Sequence, residues 1–437
     1  MTASTNTLQG GPSVRFLAVH WLHRVLHHGQ SLTDWQQSGL IEPRQRAQVQ
    51  PLLYGVLRWH GALQLIVRQY VPAAIHPPQA ALALELALHE VMMLGTPAYA
   101  AVAEAVETIK TMGHPRAGRL VNAVLRRALD NRAAHETWLR EEGWRHTHPS
   151  WLMRRLEMAW PQELEAICRA NDSQPPLVLR VNLQRITRRA FMDHLAAHGM
   201  AAEALPWTHG AVQLADSIPI QEIPGFEAGW FSVQDASSQL GAGWLDLQPG
   251  QRVLDACAAP GGKTGAMLEQ QPGIELVSVD HDSRRLERLQ ANLRRLGLAS
   301  RIHAAPLADL DAWWDGRPFE RIWLDAPCSG TGVMRRHPDI RWLRRNNDIR
   351  TLVRVQQDLL EICCRLLAPG GRLCYSTCSI LPEENERLVE EVIRELPALT
   401  AVQTSLPWGR STGRGRQLLP GEGGMDGFYY ALLDRKA

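Results

Sequence analysis

Two cysteines, fifty positions apart, lie in sequence contexts that suit chemistry better than packing. Cys328 follows Asp325-Ala326-Pro327 and precedes Ser-Gly-Thr-Gly, whereas Cys378 lies within Tyr-Ser-Thr-Cys-Ser. Each follows a short apolar run, which is typical of a strand that ends in a loop. In open α/β sheets, ligands bind at the carboxyl ends of the strands. We therefore expect both thiols at the mouth of one site, with one of them acting as a nucleophile.

A glycine-rich turn forms the second chemical motif. A predicted strand ends at Asp255 and continues into Ala-Cys-Ala-Ala-Pro-Gly-Gly-Lys-Thr over residues 256–264. Small residues let the backbone approach a ligand closely, and the helix start that follows favours an anionic group. The next predicted strand ends at Asp280, and an acid at that position suits the hydroxyls of a ribose. Together with the thiol loops, these features indicate a nucleoside cofactor beside a cysteine.

Lys263 stands out within this turn because lysine is rare in the chain. The sequence holds 47 basic residues, of which only Lys110, Lys263 and Lys436 are lysine. Lysine presents a compact ammonium, whereas arginine presents a planar fork. A lysine in a glycine-rich turn therefore indicates that a compact cation is needed there.

The elements that must position these motifs fall into three predicted domains. Residues 1–147 are predicted to form an all-α helical bundle, with one helix over 51–70. Residues 148–229 are predicted to form a small α/β linker domain that opens with a helix over 151–170. From residue 230 to 437 strands and helices alternate, which predicts a doubly wound parallel sheet. The predicted strands that matter most are Arg252–Asp255, Glu275–Asp280, Arg321–Asp325 and Arg372–Ser376. Residues 409–424, rich in glycine and arginine, are predicted to form a mobile loop.

The bulk composition is that of an ordinary globular protein. Hydrophobic residues make up 45% and charged residues 21%, with a net charge of +2 and seven cysteines. No apolar stretch is long enough to cross a membrane, and we expect a cytoplasmic protein with reduced thiols. The cysteines lack the paired spacing of a structural zinc site, so we expect no metal. The near-neutral charge means that nucleic acid would have to bind to local patches.

The motifs at residues 255–264, 325–332 and 375–379 resemble those of the RNA cytosine-C5 methyltransferases, which use S-adenosyl-L-methionine. Residues 335–342 and 427–431 are also similar to segments of that family, and the helical N-terminal region resembles a NusB-like RNA-binding domain. The resemblance covers nearly the whole chain. It implies a multidomain fold with a Rossmann-like, S-adenosylmethionine-dependent methyltransferase domain at the C-terminus.

The resemblance also implies roles for individual residues. Cys378 is expected to attack cytosine C6 and Cys328 to assist release, although the residues alone leave this order open, because DNA cytosine methyltransferases place the nucleophile in the Pro-Cys loop. Asp325 is expected to bond the cytosine ring, and Lys263 to contact the cofactor or the base. The residues expected to bind the cofactor are Cys257, Ala258, Ala259, Pro260, Gly261, Gly262, Lys263, Asp280, Asp309 and Asp325.

The contact to the adenine departs from the family pattern. Family members carry an acid near the end of the strand that follows Asp280. A direct count places Pro306 at that position, and Asp309 matches only with a shift. The sequence thus leaves the adenine contact open between these two positions.

The loop after Cys328 is rich in arginine and predicts RNA contacts. Arg335, Arg336, Arg341 and Trp342 are the expected RNA-binding residues, because arginines grip phosphates and an indole stacks on bases. The alternative is a solvated charged helix without RNA contacts.

The resemblance therefore implies an enzyme that transfers a methyl group to C5 of a cytosine in 16S ribosomal RNA, and we expect it to be a monomer. The same reaction on transfer RNA or another RNA is one alternative. A non-catalytic RNA-binding or antitermination factor is another, and it would predict loss of the thiols or of the cofactor turn.

Overall fold

The computed structural model describes residues 12–37, 42–403 and 405–437, which form two compact units. The first comprises the described residues up to Ser173 together with Met334–Arg345, and the second comprises Gln174–Val333 and Asn346–Ala437. This division does not coincide with the predicted boundaries after residues 147 and 229. Twelve residues from the C-terminal half of the chain belong to the N-terminal unit.

The first unit is helical, as predicted for the N-terminal region. Ser13 caps the first helix by accepting a hydrogen bond from the Phe16 amide, and Gly29 ends it with a φ of 68°. Between Val14 and Glu141, apolar residues at helical spacing bury one face of each helix against a shared core. The helices are α1 Val14–His28, α2 Leu32–Gln37, α3 Pro43–Tyr70, α4 Pro78–Met93, α5 Ala98–Thr111, α6 Ala117–Asp130, α7 Arg132–Glu141, α8 Ser150–Ala159 and α9 Leu164–Asp172.

Two helix boundaries differ from the prediction, and proline explains both. We predicted a helix from Pro51, but α3 begins at Pro43 and contains Pro51. Proline inside a helix removes one hydrogen bond, and here the buried Leu52 and Leu53 that follow it offset that loss by packing. The pattern predicted as one helix over residues 151–170 forms α8 and α9, because Pro161 lies between them.

The second unit begins with a small antiparallel sheet. Its strand order is β2-β3-β1-β4, and α10 packs on it through the buried Phe191 and Leu195. The elements are β1 Leu177–Val181, α10 Arg188–Ala197, β2 Ala202–Ala204, β3 Ala211–Leu214 and β4 Phe231–Val233. This sheet confirms the predicted α/β character of the linker region.

The rest of the second unit is built on a larger sheet, in the order β11-β12-β13-β9-β8-β5-β6-β7 with β10 beside β13. In chain order the elements are α11 Ala236–Trp244, β5 Arg252–Ala256, α12 Gly262–Gln270, β6 Glu275–Asp280, α13 Ser283–Leu296, β7 Arg301–Ala304, β8 Phe319–Asp325, α14 Ile340–Leu343 (in the first unit), α15 Asn346–Leu366, β9 Leu367–Thr377, α16 Glu386–Glu395, β10 Leu399–Ala401, β11 Arg410–Ser411, β12 Arg416–Leu418 and β13 Phe428–Arg435.

The sheet is mixed rather than wholly parallel. Strands β7, β6, β5, β8 and β9 run parallel, whereas β13 pairs antiparallel with β9. The prediction of a mobile loop over residues 409–424 is wrong, because this segment contains the paired strands β11 and β12. Strand β12 also pairs with β13. Because parallel strands end at one edge, the carboxyl ends of β5, β6, β8 and β9 meet there.

Candidate active site

The turn between β5 and α12 has a backbone that few sequences could adopt. Gly261 has a φ of 99°, and a Cβ added there would lie 2.9 Å from Leu289 Cγ. Cys257 also has a positive φ, of 64°. The Ala258 amide donates to the Val279 carbonyl at 3.0 Å, which ties the turn to the neighbouring strand. The small residues predicted to approach a cofactor thus form a tight turn before a helix N-terminus.

Asp280 lies at the end of β6, next to this turn. Its carboxylate is buried and accepts from the amides of Ala259 and Asp282, each at 3.0 Å. These two bonds fix the carboxylate at the edge where ligands of such sheets bind.

Asp255, at the end of β5, was not among the predicted site residues. It is fully buried, and the Thr264 hydroxyl donates to its Oδ2 at 2.5 Å. Burial raises the pKa of Asp255 to about 7, although the Thr264 hydrogen bond lowers it. Within the described residues Oδ1 has no hydrogen-bond partner. A buried acid directly before a glycine-rich turn was the signal that could have drawn attention to it.

Lys263 and Asp325 form an ion pair at the carboxyl edge of the sheet. The Lys263 Nζ lies 2.5 Å from Asp325 Oδ2, and the Ser376 hydroxyl donates to Oδ1 at 2.7 Å. Burial opposes the charge of Lys263, but the nearby Asp325 carboxylate dominates and the pKa of Lys263 is raised. The pair brings the first turn of α12 together with the loop that carries Cys328.

The structure places the two predicted thiols side by side. Cys328 Sγ and Cys378 Sγ are 3.4 Å apart, and both residues are partly buried. The loops that carry them are joined by the Gly332 amide, which donates to the Cys378 carbonyl at 2.8 Å. A Cβ at Gly332 would lie 2.1 Å from the Gly427 carbonyl oxygen, so only glycine fits there.

The two thiols are electrostatically unequal. The hydrogen bond with Cys378, burial and the negative charge of Glu384 hold the pKa of Cys328 well above its usual value. Cys328 therefore keeps its proton and can donate a hydrogen bond to the sulfur of Cys378. The thiolate is the nucleophilic form of a cysteine, so a thiol that holds its proton is poorly suited to attack.

The other five cysteines are free thiols, and no disulfide forms among the described residues. Four of the five are buried, and Cys257 is partly buried. Burial raises the pKa of Cys168, Cys257 and Cys364 to about 12. High pKa values make thiols poor nucleophiles, so these three cysteines are poorly suited to a catalytic role.

Arg180, in β1, supports the cofactor turn from the small sheet. Its guanidinium makes two bonds of 2.8 Å to the Glu269 carboxylate and donates to the Gly262 carbonyl at 2.7 Å. It also donates to Gln234. This residue was not predicted, because its partners are far from it in the sequence.

Asp309 lies in the loop after β7 and is exposed, as is Pro306. The backbone amide of Asp309 donates to the Pro306 carbonyl at 3.0 Å, which makes the two part of one turn. The adenine contact therefore stays a prediction for this turn.

The arginine-rich segment after Cys328 packs within the helical unit. Arg341 has no solvent exposure, and its guanidinium bonds to Asp172 Oδ1 at 2.7 Å and to the Asn171 carbonyl at 2.5 Å. Arg335 is also buried, and the Trp342 indole donates to the Leu57 carbonyl at 2.8 Å. The prediction that Arg335 and Arg341 bind RNA does not fit these positions, because a buried guanidinium cannot reach a phosphate. Arg336 keeps partial exposure.

Neither a metal-binding cluster nor a membrane-spanning helix occurs in the described ranges. No group of three or more His, Cys, Asp or Glu side chains could hold a metal ion there. No helix in the same ranges is long and apolar enough to cross a membrane.

Fold and site together define an α/β protein with a glycine-rich turn and a pair of thiols at the carboxyl edge of its sheet. Three family models match the chain: "16S rRNA methyltransferase RsmB/F" over residues 242–434, a ferredoxin-like domain of RsmF/B-like methyltransferases over 148–221, and the NusB family over 12–130.

Full-length relatives agree with these models. The chain is 41% identical to ribosomal RNA small subunit methyltransferase B of Pseudomonas putida, over 96% of this chain and 98% of the relative. It is 40% identical to the protein of the same name from Xanthomonas campestris, over 98% and 99%. A crystal structure of a methyltransferase homologue from Pyrococcus horikoshii matches 64% of this chain and 93% of its own, with 28% identity and a TM-score of 0.57.

The chain therefore belongs to the RsmB/F family of 16S rRNA methyltransferases. This confirms the predicted family, the fold class and an S-adenosylmethionine-dependent RNA methyltransferase activity.

Proposed function

We propose that the chain methylates C5 of a cytosine in 16S rRNA through a covalent adduct between Cys378 and C6 of the base. The observation that carries this proposal is the 3.4 Å separation of the two sulfur atoms beside the Lys263–Asp325 pair. Cytosine C5 is a weak nucleophile. Addition of a thiolate at C6 makes it an enamine carbon, which divides one difficult step into two easier ones.

Cys378 is the nucleophile in this proposal, and Cys328 assists release. The raised pKa of Cys328, caused by the bond to Cys378, burial and Glu384, suits a residue that keeps its proton. Attack by the Cys378 sulfur forms the S–C6 bond, and C5 then accepts the methyl group. After C5 has lost its proton to water, the S–C6 bond breaks and the S–H of Cys328 stabilises the departing thiolate. The order that the residues alone left open is thus supported by the unequal environments of the two thiols.

Asp325 is proposed to bond the cytosine ring, which favours attack at C6. Its Oδ1 and Oδ2 already accept from Ser376 and Lys263, so the carboxylate is fixed in orientation at the strand end. The ion pair with Lys263 fixes the orientation of Asp325, and the Lys263 ammonium is proposed to contact the cofactor or the base. A target base has to leave its stack to reach such a site.

The donors and acceptors at the sheet edge fit S-adenosyl-L-methionine. The start of α12 offers backbone N–H groups for a carboxylate, Asp280 offers acceptors for ribose hydroxyls, and Asp255 Oδ1 lacks a donor. The proposed binding residues are the turn from Cys257 to Lys263, with Asp280, Asp309 and Asp325. When bound, this cofactor supplies an electrophilic methyl group.

The proposed partner is 16S rRNA, because the relatives named above are ribosomal RNA small subunit methyltransferases. Transfer RNA as substrate is the weaker alternative, since no observation favours it. We also propose a cytoplasmic monomer that needs no metal. Of the three arginines predicted to bind RNA in the segment after Cys328, Arg336 is the one with partial exposure, and we propose that it contacts RNA.

Bisulfite sequencing of 16S rRNA tests the proposal. A strain that lacks the gene should lose one or more protected cytosines, and the wild-type chain should restore them. Cys378→Ala should restore none, with activity in vitro reduced by at least about 10³-fold, which is typical when a nucleophile is removed. Cys328→Ala should accumulate a protein–RNA adduct that survives denaturant and appears as a gel shift.

Cys363→Ala is a matched control, because Cys363 is a buried thiol outside the thiol pair. Methylation restored by Cys378→Ala would overturn the covalent assignment. Free turnover by Cys328→Ala, without an adduct, would remove Cys328 from the release step.

A further inference from the structure

A fully buried carboxylate, that of Glu384, lies behind the two thiols. Glu384 ends a short 3₁₀ helix, Pro382–Glu384, and has no solvent exposure. Its Oε1 accepts from the Ser329 amide at 2.8 Å and from Gln356 Nε2 at 2.9 Å. Its Oε2 accepts from the hydroxyls of Ser329 and Ser379, each at 2.5 Å.

Two of the three residues that donate to Glu384 are next to the cysteines in the chain. Ser329 directly follows Cys328, and Ser379 directly follows Cys378. Gln356 also donates to the carbonyl of Pro327, the residue before Cys328, at 2.9 Å. One carboxylate therefore holds the loop of each thiol from behind. We call Glu384, Ser329, Ser379 and Gln356 the Glu384 clamp.

A second set of bonds fixes the loop of Cys378 from the other side. The Asn385 side chain donates to the Ser379 carbonyl at 2.9 Å and accepts from the Thr377 hydroxyl at 2.6 Å. Gln417, in β12, donates to the same carbonyl at 3.2 Å. With its neighbours held in this way, the loop of Cys378 has little freedom to shift relative to the clamp.

Four hydrogen bonds from neutral groups of Ser329, Ser379 and Gln356 hold the buried carboxylate of Glu384. In the described part of the chain this carboxylate forms no ion pair. Burying a charge without partners is very unfavourable, whereas hydrogen bonds to an ionised acceptor are strong. The four hydrogen bonds therefore stabilise the buried carboxylate and link the segments that supply them.

We propose that Glu384 is a positioning residue that holds the loops of Cys328 and Cys378 together, so that their sulfur atoms stay in contact during the reaction. The roles of the two sulfurs rest on the proposed function. Their juxtaposition does not, so the two ideas can be tested separately. A misplacement of about 1 Å at reacting groups can lower a rate by roughly 10²-fold, which gives the clamp its kinetic importance.

Oxidation by diamide, a diazene, measures the juxtaposition directly. Two thiols lose two hydrogens and form one disulfide, while diamide is reduced to the hydrazine. In the full-length wild-type chain, peptide mapping by mass spectrometry should show rapid formation of the Cys328–Cys378 disulfide. Glu384→Ala should slow this reaction about tenfold or more. Glu384→Gln should stay within a few-fold of wild type, because the amide oxygen still accepts from Ser329 and Gln356.

The kinetic counterpart is a loss in kcat. Glu384→Ala should lower kcat for methylation about 10²-fold and leave KM for RNA and cofactor within a few-fold. Glu384→Gln should recover most of the rate, which a general loss of core packing would not predict. Glu391→Ala is the matched control, since Glu391 on α16 makes only a surface pair with Arg394 at 3.5 Å.

An unchanged rate of disulfide formation in folded Glu384→Ala would overturn the proposal. If that variant does not fold, Ser329→Ala and Ser379→Ala, which each remove one hydroxyl donor, replace it. They should slow the disulfide reaction several-fold, and wild-type rates in both would overturn the proposal. If disulfide formation depends on Glu384 but Cys378→Ala still methylates RNA, the clamp stands and the covalent mechanism fails.

Discussion

Two buried charges organise two different regions of this molecule. In the sheet unit, the carboxylate of Glu384 accepts hydrogen bonds from neutral donors, three of them in the loops of the thiols and one on Gln356. In the helical unit, Arg341 meets one carboxylate, Asp172, together with backbone carbonyls of Arg58, Thr147 and Asn171. We call the latter group the Arg341 anchor.

The difference lies in what each charge holds. The Glu384 clamp fixes groups that are placed to react, whereas the Arg341 anchor fixes a segment that follows the Cys328 loop in the chain to helices of the first unit. The pKa of Asp172 is raised to about 6 by burial, in spite of Arg341, and that of Arg58 is lowered to about 10 by burial and by Arg341. The Arg341 anchor is thus a costly ion pair whose role is folding rather than chemistry.

The largest expected effect follows from breaking the Arg341 anchor. Asp172→Asn keeps the shape of the side chain but leaves a buried guanidinium without its counter-charge. Removing one partner of a buried pair costs about 3–5 kcal/mol. We expect a large fall in the thermal unfolding midpoint, measured by calorimetry.

The control for this variant lies on the same helix. Glu165→Gln breaks an exposed pair with Arg169 at 2.8 Å, and exposed pairs contribute about 0–1 kcal/mol. Equal stability of the two variants would show that the Arg341 anchor does not hold the segment.

The next largest expected effect is a loss of methyl-transfer rate when Lys263, in the sheet unit, is replaced. Lys263→Met removes the ammonium that lies 2.5 Å from Asp325 Oδ2. Loss of one preorganised electrostatic contact typically lowers kcat by about 10²–10³-fold. Methyl transfer to 16S rRNA from labelled cofactor should fall by about that factor, with an unfolding midpoint close to wild type.

Lys436→Met is the matched control for Lys263, because Lys436 is exposed and its ammonium donates to the Pro397 carbonyl at 2.8 Å. Full activity of Lys263→Met would show that Asp325 needs no cation beside it. A lower unfolding midpoint with an unchanged rate of methyl transfer would show that Lys263 stabilises the fold and does not act in catalysis.

The smallest effect is a pH dependence at Asp255. Burial raises the pKa of Asp255 to about 7, so the folded state binds its proton more tightly than the unfolded state. The resulting stabilisation is fully present below a pH of about 4 and is lost as the pH rises through about 7. Asp255→Asn lacks this dependence. Relative to the variant, the wild-type midpoint should therefore fall by several degrees between pH 5 and pH 8.

The neighbours of Asp255 that carry charge are Asp325, Lys263 and Asp280, and its hydroxyl partner is Thr264. Thr264→Val removes that partner and should make the pH dependence steeper, because the hydrogen bond favours the ionised form. Parallel midpoint curves for wild type and Asp255→Asn would show that Asp255 is ionised throughout this range.

The sequence was sufficient where the chemistry depends on local motifs. Strand ends at Asp280 and Asp325 and both cysteine loops could be located because apolar runs ended in small polar residues. The parallel arrangement then required these ends to meet at one edge. The resemblance to a methyltransferase family added the reaction and the cofactor, which no spacing could supply.

Only the tertiary structure decided the roles of residues whose partners lie far away in the chain. Arg341 and Asp172 are 169 positions apart, and Glu384 and Ser329 are 55 apart. An arginine that grips phosphate and one that anchors a segment look alike in a sequence, because their difference lies in burial. The sequence by itself determined which groups could react. Packing determined which charges reach the solvent and which hold the fold, because burial and hydrogen bonding depend on groups that meet only after folding.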